Sequence, residues 1–106
     1  MDLVEGKPRA LLLDPRLVSA HLNRGTTLWE SRRFPEALEA CERALELAPR
    51  SGIAQYGRGR SLEGVGESGE ARKAYEAAFS LTLPESVREA CLKRLEALRA
   101  VPPQPP

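Results

Sequence analysis

A chain of 106 residues with 29% charged and 42% apolar side chains has the length and composition of one ordinary soluble domain. Its formal net charge is +1, so no global field would direct it to nucleic acid or to an anionic membrane. The first residues lack a basic start, and no apolar run approaches the roughly 18 residues of a membrane span. We therefore expect neither export nor membrane insertion.

The first helices are predicted from apolar residues at three- and four-residue steps. Residues 1–14 contain only a short helical stretch, at about 8–13. A helix then follows from Val18 to Trp29, and a second runs from about Pro35 until Pro49 stops it. These two helices would form an antiparallel hairpin.

Residues 52–81 replay this plan, with a turn at Gly64-Val65-Gly66 between a helix through Tyr56 and a helix through Tyr75 to Leu81. After Pro84, residues 85–100 place apolar side chains on one stripe and charged ones outside it, which predicts a closing helix. Four prolines among residues 101–106 exclude a helix there and indicate a tail or linker.

Many residues recur after 34 positions, the length of a helix, a turn, a second helix and a connection. The recurring pairs are Ala10 with Ala44, Pro15 with Pro49, Ala20 with Ala54, Gly25 with Gly59, Leu28 with Leu62, Ala37 with Ala71 and Ala44 with Ala78. Such self-similarity is typical of stacked supersecondary units, in which small residues let neighbouring helices approach closely. Function is then expected from a surface rather than from a catalytic pocket.

On these residues the chain resembles the tetratricopeptide repeat family. Its units run small-x-x-x-Leu-Gly-x-x-Tyr in the first helix and Ala-x-x-x-Tyr-x-x-Ala-Leu-x-x-x-Pro in the second. The resemblance implies an all-α, right-handed solenoid of antiparallel helix hairpins. Its units would be an N-terminal half-repeat or cap (1–17), two full repeats (18–51 and 52–84), a capping helix (85–100) and a proline-rich tail (101–106).

Arg24 and Arg58 depart from the family pattern, because they stand where a core leucine is usual. We expect them to pair with carboxylates such as Asp14 or Glu42 while their stems cover apolar surface. Contact with an acidic partner is the alternative for both arginines.

Sites for enzyme chemistry find little support. Residues 64–69 satisfy G-x-G-x-x-G, but a helix leads into them where a dinucleotide site needs a strand. His21 is the only histidine, and Cys41 and Cys91 are expected to be reduced core thiols, which weakly favours a cytoplasmic location. We expect no enzyme, no metal and no cofactor.

The resemblance implies a concave surface, lined by the first helices, that holds a peptide or helix of a partner. Carried over by position, it comprises Ser19, Leu22, Asn23, Thr26, Trp29, Glu30, Ile53, Tyr56, Arg60 and Glu63. Trp29 is either a partly exposed anchor or is covered by neighbouring segments, and Tyr56 and Arg60 either contact an acidic peptide or are ordinary surface. A clamp for a peptide's terminal carboxylate is disfavoured, since Ile53 and Gly57 replace its basic residues.

These residues predict a protein-binding module or adaptor, with another protein or peptide as its partner. The alternative is a self-associating scaffold that uses an exposed N-terminal edge of the solenoid, near Leu11 and Leu13. The partner itself is not encoded in the fold, because one fold carries many functions.

Overall fold

The computed structural model describes residues 15–100, which form five α-helices and no strand. The helices are α1 (Pro15–Glu30), α2 (Phe34–Leu47), α3 (Gly52–Gly64), α4 (Ser68–Phe79) and α5 (Glu85–Ala100). The all-α fold of helix hairpins is thereby confirmed. The predicted stretch at 8–13 and the tail at 101–106 lie outside the described residues. None of these five helices is both long and apolar enough to cross a membrane.

The helices form two layers. Each packs against the next along the chain, and in addition α1 contacts α3 and α3 contacts α5. The first helices α1, α3 and α5 therefore lie side by side in one layer, which we call the first-helix layer, while α2 and α4 cover its other side.

Close helix packing depends on small residues at the repeat positions. A Cβ added to Gly25 or Gly57 would lie 2.9 or 2.8 Å from Cys41 Sγ. Cys41 is 1% exposed and so fills the space between α1, α2 and α3. A Cβ on Gly59 would lie 2.6 Å from the ring of Tyr75, which is fully buried. Any larger residue at these glycines would force the helices apart.

The turns inside the two hairpins share one backbone conformation. Arg32, in the turn after α1, has φ 64°, and Gly66, in the turn after α3 and one repeat further on, has φ 88°. This left-handed region suits glycine and strains most other residues. Both turns therefore place the residue at this repeat position in the left-handed region, although the first hairpin has an arginine there and the second has a glycine.

Two helix ends differ from the sequence prediction. Helix α1 begins at Pro15 rather than Val18, which is consistent with the tolerance of proline in a first turn. Helix α4 ends at Phe79 rather than Leu81, because the N–H of Ser80 bonds the carbonyls of Ala78 and Glu76 and closes the last turn. Apolar spacing continues beyond the point where the backbone leaves the helix.

The arginines at the leucine positions differ from each other. Arg58 pairs with Glu42 at 3.5 Å, as expected, and its side chain is 28% exposed. Arg24 is exposed on α1, and Asp14, the other carboxylate named as a possible partner of these arginines, lies outside the described residues. The departure at Arg58 is thus accommodated by an ion pair between α2 and α3.

Helix α5 packs on the second hairpin. It buries Cys91, Leu95 and Leu98 in the same core as Tyr75, while its remaining surface is largely charged. Leu92, 43% exposed, is a large apolar side chain on that outer surface. The role of α5 as a capping helix stays a prediction from the sequence.

Candidate functional site

The ten residues of the predicted binding surface differ widely in exposure. Ser19, Asn23, Glu30 and Ile53 are exposed, Leu22, Thr26, Trp29, Arg60 and Glu63 are partly buried, and Tyr56 is buried. All lie on α1 or α3, the adjoining helices of the first-helix layer. The described contacts join four of them, Trp29, Tyr56, Arg60 and Glu63, into a single cluster at the end of this layer where α1 and α3 finish.

Trp29 lies between α1 and α3. It packs against the buried cluster of Leu28, Ala37 and Ala40, and Arg60 of α3 lies over its indole with 4.5 Å from the guanidinium carbon to the ring centroid. A cation over a tryptophan face is attracted by the ring quadrupole. Trp29 is thus anchored on one side by the core and covered on another by a charged group, and it keeps a partly exposed surface.

Tyr56 belongs to the core more than to the surface. It is 9% exposed, and its ring lies 5.8 Å from that of Tyr75 in a tilted pair. Its hydroxyl oxygen accepts a hydrogen bond of 3.1 Å from Nη1 of Arg60. Tyr56 therefore positions Arg60 through this hydrogen bond, and its ring is too buried to contact a ligand.

Glu63 ties three helices together. Its Oε1 accepts a bond of 2.7 Å from the Tyr75 hydroxyl on α4 and one of 3.0 Å from Nε of Arg94 on α5, and Arg94 Nη2 bonds the second oxygen. Burial opposes ionisation, but these hydrogen bonds and the charges of Arg94 and Arg60 outweigh it, so the pKa of Glu63 lies below its usual range. The carboxylate is ionised and its oxygens are occupied.

The Tyr75 hydroxyl stays protonated in this arrangement. Burial, and next the hydrogen bond to the Glu63 carboxylate, raise the pKa of Tyr75. A protonated hydroxyl is required because Tyr75 donates to Glu63. The Tyr75–Glu63–Arg94 contact is therefore a fixed structural bond across α4, α3 and α5.

A cavity of about 250 Å³ opens beside this cluster and is lined by Phe34, Arg60, Glu63, Gly64 and Arg94. The ring of Phe34, at the start of α2, rests directly on the backbone of Gly64, where a side chain would collide with it. The cavity therefore has an apolar wall from Phe34 and a polar wall from two arginines and a carboxylate.

Three residues of this site are missing from the sequence prediction: Phe34, Tyr75 and Arg94. The 34-residue period could have predicted one of them, because Arg94 stands one repeat after Arg60. Extending the period into α5 places both arginines at the same level of the first-helix layer. Phe34 and Tyr75 lie on α2 and α4 and reach the site from the second helices, which no spacing rule along the first helices reveals.

Within residues 15–100 no three His, Cys, Asp or Glu side chains lie together as metal ligands would. Cys41 and Cys91 are buried free thiols, and burial raises the pKa of Cys41 to about 11 and also raises that of Cys91. The G-x-G-x-x-G stretch begins at the end of α3 and enters α4, so a helix leads into it as the sequence predicts.

Residues 22–81, more than half of the chain, match the family model of the tetratricopeptide repeat. Comparison with curated proteins and with solved structures found no match.

Proposed function

We propose a function in protein binding on the premise that the chain belongs to the tetratricopeptide repeat family. Repeats of this family generally mediate protein–protein interaction and are generally non-catalytic. In the proposed function, the first-helix layer accepts an extended peptide or a helix of a partner protein. The chain would act as an adaptor in the cytoplasm.

The observation that carries this proposal is the Trp29–Arg60 pair. Trp29 keeps a partly exposed surface while the core and the guanidinium at 4.5 Å restrict its movement. Tryptophan and arginine held in this way are typical of interface hot spots, because they offer a large contact area and lose little conformational freedom on binding.

Apolar side chains extend the same surface. Ile53 at the start of α3 is 39% exposed, and Leu22 on α1 is partly buried. An exposed isoleucine and a half-buried leucine on the same two helices as Trp29 and Arg60 can contact the apolar side chains of a peptide, while Asn23 and Thr26 supply hydrogen-bonding groups. Affinity would come from the apolar contacts and direction from the polar ones.

The test uses the purified chain and a phage-displayed library of random linear dodecapeptides. Peptides enriched on the wild-type protein are synthesised, and their dissociation constants are measured by isothermal titration calorimetry. Trp29→Ala is expected to weaken the best peptide at least about tenfold, since it removes a hot-spot side chain. Ile53→Ser is expected to weaken it about threefold, and it changes only an exposed residue.

Arg43→Ala is the matched control, because Arg43 is an exposed residue of α2, outside the first-helix layer. It should leave affinity unchanged, and circular dichroism should show that all three variants keep their helix content. The proposal fails if no peptide is enriched, or if the enriched peptides bind Trp29→Ala and Ile53→Ser as tightly as the wild-type chain.

A second candidate function is self-association through the outer edge of α1. Ala20, Asn23 and Thr27 are exposed there, whereas the residues one repeat later, Ala54, Gly57 and Ser61, are all buried against the preceding hairpin. For this second candidate function, we propose that another copy of the same chain covers the exposed edge of α1.

Sedimentation velocity between micromolar and millimolar concentrations tests the self-association. A dimer that Thr27→Arg dissociates would support it, because Thr27 is one of the three exposed residues of that edge. A concentration-independent monomer would exclude it and would leave the peptide-binding proposal standing.

A further inference from the structure

Two arginines stand at equivalent places in successive first helices and line the same cavity. Arg60 lies on α3, Arg94 lies one repeat later on α5, and both border the space of about 250 Å³ beside Phe34. Two arginines and one carboxylate therefore border the same small opening.

Arg60 lacks a carboxylate partner within salt-bridge distance among residues 15–100. Its described contacts are the Trp29 ring at 4.5 Å and the Tyr56 hydroxyl, which accepts one of its N–H groups at 3.1 Å. A guanidinium has five N–H donors, and neither contact neutralises its charge. Arg60 is thus held in place, and among residues 15–100 its positive charge has no carboxylate within salt-bridge distance.

Arg94 and Glu63 do not cancel the charge of Arg60. The Glu63 carboxylate is committed to Arg94 and to the Tyr75 hydroxyl, and its side chain is only 19% exposed. The cavity wall therefore carries two positive charges and one negative charge. Its net charge matches one carboxylate and would leave a doubly charged phosphate partly unneutralised.

We infer that this cavity is the subsite for an Asp or Glu side chain of the bound peptide, with Arg60 as the group that binds its carboxylate. The inference rests on the proposed function and adds the chemical class of the partner: a peptide with an acidic residue at one fixed position. The planar guanidinium of Arg60 matches the geometry of a carboxylate, and the Phe34 ring contacts the methylene groups that carry it.

The test again uses the displayed dodecapeptides, whose C-termini are fused to the coat protein, so that selection reports side chains and not a terminal carboxylate. Enriched peptides are expected to share Asp or Glu at one position. On the wild-type chain, changing that residue to Asn or Gln should weaken binding about tenfold, as expected for a charge-assisted bond. On Arg60→Gln the same change should alter affinity less than about twofold.

Arg43→Gln is the control, because it removes the same charge from an exposed arginine that does not line the cavity. It should preserve the tenfold preference for the acidic peptide. Arg60→Lys keeps the charge without the planar fork, so part of the preference should remain. Circular dichroism and the unfolding midpoint establish that Arg60→Gln is folded.

The outcomes separate this inference from the proposed function. Peptides that bind through Trp29 but share no acidic position would overturn the carboxylate subsite and leave peptide binding intact. An acidic preference that Arg60→Gln retains would equally overturn the assignment to this cavity. If no peptide is enriched, the proposed function fails and the subsite fails with it.

Discussion

Gly59→Ala tests whether close helix contact holds the second hairpin together. The added methyl group would lie 2.6, 2.7 and 3.0 Å from three ring atoms of Tyr75, against the roughly 3.5–4.0 Å of an ordinary carbon contact. The ring would have to move by about 1 Å. It is fully buried, and its hydroxyl is bonded to Glu63 at 2.7 Å, so it has no open space to enter.

The magnitude follows from three contributions. Overpacking of a well-filled core costs about 1–3 kcal/mol. Displacement of the ring weakens the Tyr75–Glu63 hydrogen bond, which adds about 1 kcal/mol, while the better helix propensity of alanine returns about 1 kcal/mol. We expect the free energy of unfolding to fall by about 2 kcal/mol and the midpoint of thermal unfolding by roughly 10 °C.

Urea unfolding followed by circular dichroism measures this change, with Gly69→Ala as the matched control. Gly69 also lies in a helix, but a Cβ there meets nothing within 4 Å. Gly69→Ala should therefore be neutral or stabilising by up to about 1 kcal/mol. If Gly59→Ala is as stable as Gly69→Ala, close packing against Tyr75 does not limit the fold and the reasoning is refuted.

A second background separates packing from hydrogen bonding. In Tyr75→Phe the hydroxyl is already absent, so Gly59→Ala should cost about 1 kcal/mol less than it does in the wild-type chain. An equal cost in both backgrounds would assign the whole effect to the ring contact.

Three further predictions concern charge, turn geometry and thiol access. The lowered pKa of Glu63 means that its ionised form stabilises the fold above the unfolded value of about 4.3, and that this stabilisation is lost as pH falls through the folded value. The difference in stability between wild type and Glu63→Gln should thus shrink from pH 7 to pH 3 in urea titrations; a constant difference would contradict it. Gly66→Ala should lower the free energy of unfolding by about 1 kcal/mol, and Arg32→Gly should raise it by about 0.5 kcal/mol, because both positions have a left-handed backbone. Two neutral substitutions in the same titrations would count against that account. Cys41 and Cys91 should react with a thiol-specific dye at pH 8 only after unfolding, since both are buried and burial raises the pKa of each. Rapid reaction of the folded chain would show that this core opens.

The helices and their hairpins were predictable because the information for them is local and repeated. Ala37 and Ala71, or Gly25 and Gly59, must be small at the same place in each unit. The 34-residue period therefore identifies both the repeating unit and the positions where helices pack closely. Helix ends were less predictable. The end of α4 at Phe79 depends on how the backbone of Ser80 closes the last turn, and apolar spacing does not encode that choice.

The candidate site was likewise predictable only in part. The repeat period predicted which residues share the first-helix layer, and hence that Trp29, Tyr56, Arg60 and Glu63 lie on adjoining helices. The roles of these four residues depend instead on contacts between helices that are distant along the chain. Glu63 is occupied because Arg94, distant along the chain, reaches it from α5, and among residues 15–100 Arg60 has no carboxylate within salt-bridge distance. Competition among charged groups for a few partners is settled by distances in space, which a repeat period does not contain.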